Sequence, residues 1–144
     1  MNRFFLLLPL IFAKCTFAED AFEFKFGLLA DNENRYQMLE ETLSIPYITL
    51  NEGQRFGFII FTDNNKYKFQ SVLYLPSEPK NLSGDMLGQN SSSWSIGIKS
   101  PIYDLSGEKV QVMWLDKGDP QGEYKLELFI DGKLLKVIQF IVGR

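Results

Sequence analysis

Large apolar residues fall at every second position along most of this chain, and a period of two commits it to strands half-buried in a sheet. Phe22, Phe24, Phe26 and Leu28 alternate with Glu23, Lys25 and Gly27. Tyr124, Leu126, Leu128 and Ile130 alternate with Lys125, Glu127 and Phe129, and Val110, Val112 and Trp114 with Gln111 and Met113. Trp94, Ile96 and Ile98 repeat the pattern. Phe56, Phe58 and Ile60 do so too, while Ile59 and Phe61 on the other parity predict a strand covered on both faces near its middle. Residues 67–75 and the apolar run 133–142 complete the set. No stretch sustains a 3.6-residue period; residues 36–43 read either as a strand or as a single helical turn.

The punctuation between these runs is that of an all-β chain. Asp131-Gly132 is a type I′ hairpin signal, because both central positions of that turn want positive φ. Asp63-Asn64-Asn65-Lys66 and Asp119-Pro120-Gln121-Gly122 read as further turns, and residues 77–93 as one long loop. Seven to eight short strands in one domain predict an antiparallel β-sandwich. A closed lipocalin-type barrel needs longer, evenly linked strands and a longer chain than these 144 residues.

The first residues have another grammar. Met1-Asn2-Arg3 is a short cationic start, Phe4 to Phe12 is apolar, and Thr16 and Ala18 put small residues at the −3 and −1 places before Glu19-Asp20. That order predicts a secretory signal peptide over 1–18, cleaved between Ala18 and Glu19, with the domain occupying 19–144. The apolar run is too short for a bilayer, which takes about 20 residues, so contact with the membrane is expected only in transit. Cys15 is the sole cysteine; a lipid anchor there is disfavoured by Lys14, a long cation where lipoprotein signals carry a small residue. Cleavage removes Cys15, Arg3 and Lys14, leaving 13 cations against 18 acids, a net of −5. Such a domain is expected to stand on its core without disulfides and to bind neither nucleic acid nor an anionic membrane by bulk charge.

Thr42-Leu43-Ser44-Ile45-Pro46, Gly53-Gln54-Arg55-Phe56-Gly57-Phe58, Gly122-Glu123-Tyr124 and Gln139-Phe140-Ile141-Val142 together resemble a bacterial family of exported immunoglobulin-like β-sandwich domains without a known function. In that family an Ile-Pro strand precedes a Gly-x-x-Phe-Gly-Phe strand, and the chain closes on Pro-Gly-x-Tyr, a strand, a turn and Phe-x-Val. Here Gln121 separates Pro120 from Gly122. The resemblance implies an immunoglobulin-like fold and a periplasmic or secreted address, and assigns no residue a role.

Little chemistry is available. Histidine is absent, which removes the commonest general base, the Ser-His-Asp and Cys-His arrangements and nearly all ordinary zinc sites. No glycine-rich loop opens a helix to cradle phosphate, and no cofactor is expected. Asp116, Asp119 and Glu123 offer oxygen ligands at short spacing, but their loop lacks the calcium-loop pattern and reads as a polar turn capped by Asp119. Glu40, Glu41 and Asp104 are the carboxylates to weigh for a glycosidase pair. Trp94 and Trp114 lie on apolar parities and are expected in the core, whereas Tyr47, Tyr67 and Tyr103, at strand starts or in loops, are the surface binding candidates.

The expectation from sequence is therefore a non-enzymatic interaction module whose partner is another envelope or secreted protein. The alternative is an immunity protein or inhibitor that caps a secreted toxin or hydrolase, its acidity steering a basic enzyme face.

Overall fold

The computed structural model describes residues 21–47, 54–80 and 97–143. The predicted leader, its cleavage point at Ala18 and Glu19, Cys15, and the Trp94-Ile96 part of one predicted strand lie outside these residues, as do residues 81–93 of the long loop.

Among the described residues, ten strands run in two sheets that face one another. Seven have six residues or more: β1 (Phe22–Asn32), β2 (Arg35–Glu41), β4 (Gln54–Thr62), β5 (Tyr67–Tyr74), β8 (Glu108–Met113), β9 (Gly122–Ile130) and β10 (Lys133–Gly143). These match seven of the runs legible in the sequence; of the eighth, Trp94 to Ile98, the described part contributes Ile98 to a short edge strand. The additional three, β3 (Ser44–Pro46), β6 (Ile98–Lys99) and β7 (Tyr103–Leu105), are edge pieces of two or three residues, too short to show a period. One sheet has the order β2-β1-β4-β8; the other runs β3-β10-β9-β5-β6, with β7 also on β5. Residues 36–41 belong to β2, so the extended reading is the right one and no helical turn forms there.

Strand β9 shows why the alternation mattered. Its apolar residues Tyr124, Leu126, Leu128 and Ile130 are all buried, and the residues between them are only half-covered. It lies between β10 and β5, where both edges are satisfied by ladder hydrogen bonds. The β9–β10 turn is the expected Asp131-Gly132 pair, with φ of 50° and 77°. Short parallel pairing of β3 with the end of β10 closes the other flank, and the main-chain N–H of Tyr47 extends it by donating to the Gly143 carbonyl.

Between the sheets the core is aromatic. Phe140 is its hub, with ring centroids 4.8 Å from Phe26, 5.9 Å from Phe56 and 5.3 Å from Tyr124. Phe58 adds a second cluster, 5.1 Å from Phe24 and 5.8 Å from Phe69. Such pairs add about 0.5–1.5 kcal/mol each beyond area burial.

Near its middle the four-stranded sheet is buried on both faces, as the sequence of β4 predicted. Phe56, Phe58 and Ile60 face the core, and Ile59 on the other parity is buried as well. Leu29 of β1 is also fully buried although it lies off the Phe22-Phe24-Phe26 row. Leu29 lies over Gly57, which pairs with Gly27 across β1 and β4. A Cβ at Gly57 would stand 3.3 Å from Leu29 Cδ1 and 2.0 Å from the Gln111 carbonyl oxygen. The missing side chain leaves the room that Leu29 takes, and lets the β8 backbone approach β4 closely. Beside this point β2 bulges: Leu28 pairs with Glu40 and Leu29 with Met38, so Leu39 is the extra residue and stands exposed.

Candidate binding site

Among the described residues, four connections carry the chain from one sheet to the other. The 63–66 turn from β4 to β5 and the 106–107 step from β7 to β8 lie together, the Gly107 N–H donating to the Asp63 carbonyl at 3.1 Å. The 42–43 step from β2 to β3 and residues 114–121 between β8 and β9 are the other two. The 114–121 connection lies at the opposite end of β8 from Gly107, is the longest of the four, and carries most of the polar and aromatic chemistry.

Its conformation follows from a carbonyl and a carboxylate. The N–H of Asp119 donates to the Asp116 carbonyl at 3.0 Å, and Asp119 Oδ2 accepts the Asp116 N–H at 2.6 Å. The hydrogen-bonded turn is therefore Asp116–Asp119, three residues earlier than the predicted Asp119–Gly122, and Asp119 caps it as expected. Gly118 sits at φ 107°, a conformation that L side chains avoid, and its Cβ position would meet Lys80 at 2.9 Å. Burial, the leading effect, raises the pKa of Asp119 above the ordinary carboxylate value. Among the described residues no three of His, Cys, Asp and Glu converge as ligands, so Asp116, Asp119 and Glu123 do not form an oxygen cage.

After the turn, Tyr124 anchors the connection to the core. Its Oη donates to the Pro120 carbonyl, four residues upstream, at 2.6 Å while its ring packs on Phe140. A tyrosine at the start of an inner strand, bonded back to the preceding corner, is the tyrosine corner of immunoglobulin-type sandwiches. Burial pushes its phenol pKa well up, so it stays a donor throughout the physiological range. Tyr124→Phe keeps the ring and removes only this bond; urea denaturation is expected to show a loss of about 1–2 kcal/mol. An unchanged midpoint would mean that the corner is held by packing alone.

The predicted tyrosines do not gather. Tyr67 lies at the other end, half-buried, its ring 5.0 Å edge-on from Phe22 and its Oη bonded to Asp63 Oδ1 at 2.9 Å. That same carboxylate accepts the Asn65 N–H, so Tyr67 is a strut of the 63–66 turn, and the hydrogen bond to Asp63 raises its pKa. Tyr103 packs against the core on the β7 edge, with Lys109 Nζ 4.2 Å over its ring. Of the three, Tyr47 lies at the end formed by 114–121, and Tyr103 lines a cavity that also takes in Trp114, Asp116 and Asp119. Glu40 and Glu41 are exposed on β2, and Asp104 is exposed and paired with Lys68 on the opposite sheet, so these acids form no pair.

Trp114 is the main correction. Expected in the core from its parity with Val110 and Val112, it is 46% exposed. Strand β8 stops at Met113, so the residue on which the alternation ends lies beyond the sheet. It stands between two hollows. On one side, the open rim between β8 and the β5–β7 edge leads into a cavity of about 340 Å³ lined by Phe58, Ser71, Leu73, Gln111 and Met113 as well as Trp114. Ser71 is the one buried polar residue among those described; set between Phe69 and Leu73 on the inward row of β5, its small side chain leaves this space unfilled. On the other side a groove of about 990 Å³ is lined by Tyr36, Tyr47, Arg55, Trp114, Asp116 and Lys117, with Val112 and Leu115 completing its wall. Tyr36 comes from β2, Arg55 from β4 and Trp114 from the end of β8, so the groove crosses one end of the four-stranded sheet.

Sequence comparison settles the family. A model described as the PM0630 beta sandwich domain matches residues 24–143. The chain belongs to this family. Among solved structures, an immunoglobulin-like protein from Pseudomonas aeruginosa aligns at a TM-score of 0.50 with 13% identity, covering 83% of this chain and 91% of that one. With its tyrosine corner and two-sheet order, this PM0630-family domain is an immunoglobulin-like sandwich. Weaker likenesses are to a Pseudomonas fluorescens alkylpurine DNA glycosylase (TM-score 0.38, 9% identity) and a Listeria innocua β-glucosidase (0.39, 14%). They cover 86% and 85% of this chain but only 31% and 16% of those chains. No curated protein matches the chain.

Proposed function

We propose that this domain is an exported, non-enzymatic interaction module that works in the periplasm or at the cell surface, and that it holds its partner at the end of the sandwich built around Trp114. The observation that carries the reading is that indole. A large aromatic side chain almost half open to solvent, between two hollows and beside a rigid turn, is unusual for a residue with no partner to meet. The turn is pinned by Asp119 and by Tyr124, so the surface is preorganised and binding orders little. The Met1–Ala18 pattern supports export, and the lack of histidine supports binding rather than turnover.

The test has two arms. Processed protein recovered from the periplasm or medium is expected to begin at Glu19 by intact mass, and to show no hydrolysis of ester, peptide or glycoside reporters. Its retention in the envelope fraction is expected to fall on Trp114→Ala, with the unfolding midpoint kept. Full-length protein in the cytoplasm would overturn the export reading; turnover abolished by a single Asp or Glu substitution would overturn the non-enzymatic one.

A further inference from the structure

We infer that the partner arrives as an extended, uncharged peptide segment that adds a fifth strand to the four-stranded sheet along β8. Two large apolar side chains of that segment, two residues apart, fill the cavity beside Trp114. This rests on the interaction-module reading and specifies the chemistry of its partner.

The sheet margins decide where the segment lies. Among the described residues β8 is hydrogen-bonded on one side only, to β4, so the other side of Glu108–Met113 presents unpaired main-chain N–H and C=O groups. The other long margins are blunted. β2 bulges at Leu39 and ends on Glu40-Glu41; β10, where β3 does not cover it, bulges at Leu135 beside the exposed Lys136. Bulges and edge charges are the usual guards against strand addition, and β3, β6 and β7 are too short to offer a ladder. β8 instead pairs residue for residue with β4 and has no bulge. Its two charges are engaged: Glu108 accepts from Arg35 at 2.8 Å, and Lys109 Nζ lies 4.2 Å over the Tyr103 ring. Val110 to Met113 are left as an uncharged margin, which an uncharged segment matches.

The cavity decides what the segment carries. Side chains of an added strand alternate between faces, and those opposite Gln111 and Met113 share the inward face with them. Gln111 pairs with Phe58 and Met113 with Phe56, both core residues, and Gln111 and Met113 both line the cavity. An inward side chain at either level therefore enters a space walled by Phe58, Leu73 and Leu126 and left open by the small Ser71. Lys109, next on the same row, closes the rim by reaching Tyr103, so these two levels are the open ones. The volume of about 340 Å³ is roughly twice the ~150 Å³ that encloses a benzene ring, enough for two large apolar side chains. Main-chain bonds along β8 then give affinity, and the cavity gives specificity.

The experiment selects random phage-displayed peptides on the exported protein, then follows amide hydrogen exchange and calorimetric titration with a selected peptide made synthetically. Selected sequences are expected to lack proline and to carry large apolar residues two apart. The peptide is expected to slow exchange over 108–113 and to leave 35–41 unchanged. Ser71→Leu, which fills the cavity from within, is expected to weaken binding at least about tenfold with the thermal midpoint kept or raised. Replacing the peptide's two apolar residues with serine tests the same contact without touching the fold, and is expected to weaken binding as much. Slowing in β2 rather than β8, or binding indifferent to both changes, would overturn the inference. So would exchange at every β8 amide of the free protein as slow as in β9, because a second copy or residues 81–96 would then already hold the edge. If no peptide is selected while an envelope protein crosslinks to wild type but not to Trp114→Ala, the peptide inference fails and the interaction module stands. If neither is seen, both fail.

Discussion

Phe140→Ala is expected to cost about 3–5 kcal/mol of unfolding free energy, measured by urea denaturation with the slope unchanged. Phe140 is almost completely buried, and among the described residues its ring alone touches Phe26 and Phe56 of the four-stranded sheet and Tyr124 of its own sheet. Removing it leaves a cavity at the point where the two sheets meet, which the surrounding close-packed rings can fill only in part. Domains of this size are commonly stable by about 5–15 kcal/mol, so a large part of the total depends on one side chain. Phe140→Leu, which keeps most of the apolar volume, is expected to cost clearly less. Equal losses in the two variants would show that volume is not what the hub supplies.

Gly57→Ala is expected to be as damaging although it adds only one methyl group. The added Cβ would lie 2.0 Å from the backbone oxygen of Gln111, an atom that cannot swing aside as a side chain does. Relief requires β4 and β8 to separate where Gly57 pairs with Val112, opening the sheet between its third and fourth strands. The backbone at φ +153° adds to the cost. A loss of about 3 kcal/mol or more, or failure to fold, is expected by circular dichroism and thermal melting. Gly132→Ala is the control. Nothing lies within 4 Å of its Cβ position, so only the left-handed backbone at φ +77° is penalised, at about 1 kcal/mol. If both substitutions cost the same, the close approach of β8 to Gly57 is not what requires glycine there.

The architecture was readable wherever one face of a strand is buried and the other is not. β9 is the clearest case, because Tyr124, Leu126, Leu128 and Ile130 keep strict alternation through a central strand. Asp131-Gly132 was readable because a two-residue turn has few backbone solutions. The two-faced burial of β4 was signalled by Ile59, but its cause, a glycine pair beneath Leu29, depends on Gly27 and Gly57 being neighbours across strands, which no local pattern reveals. Edge pieces such as β3 and β7 carry too few residues for any period and are defined by their partners.

The site was harder to read than the fold. Parity predicted a buried Trp114 because alternation describes which face a residue takes while the strand continues; it does not say where the strand ends. The position of Tyr67 and Tyr103 at strand starts predicts surface residues, yet Asp63 and Lys109 give each a local structural partner. Tyr36, inside β2, carried no signal at all. Its place in the groove depends on β2 and β8 forming opposite edges of one sheet. The feature that foretold the region was the 116–123 loop, rich in Asp and Gly, whose true role is to hold a turn beside the groove.

The most direct test of the binding end works whatever the ligand proves to be. A photoreactive diazirine side chain is placed in the exported protein at Lys117, on the groove, and separately at Lys66, in the exposed turn at the opposite end. Both variants are irradiated in living cells, and covalent adducts are compared by mass and by glycan staining. Adducts are expected from position 117 that disappear when Trp114→Ala is added, and none from position 66. Adducts from position 66 with none from position 117 would contradict a binding end built around Trp114.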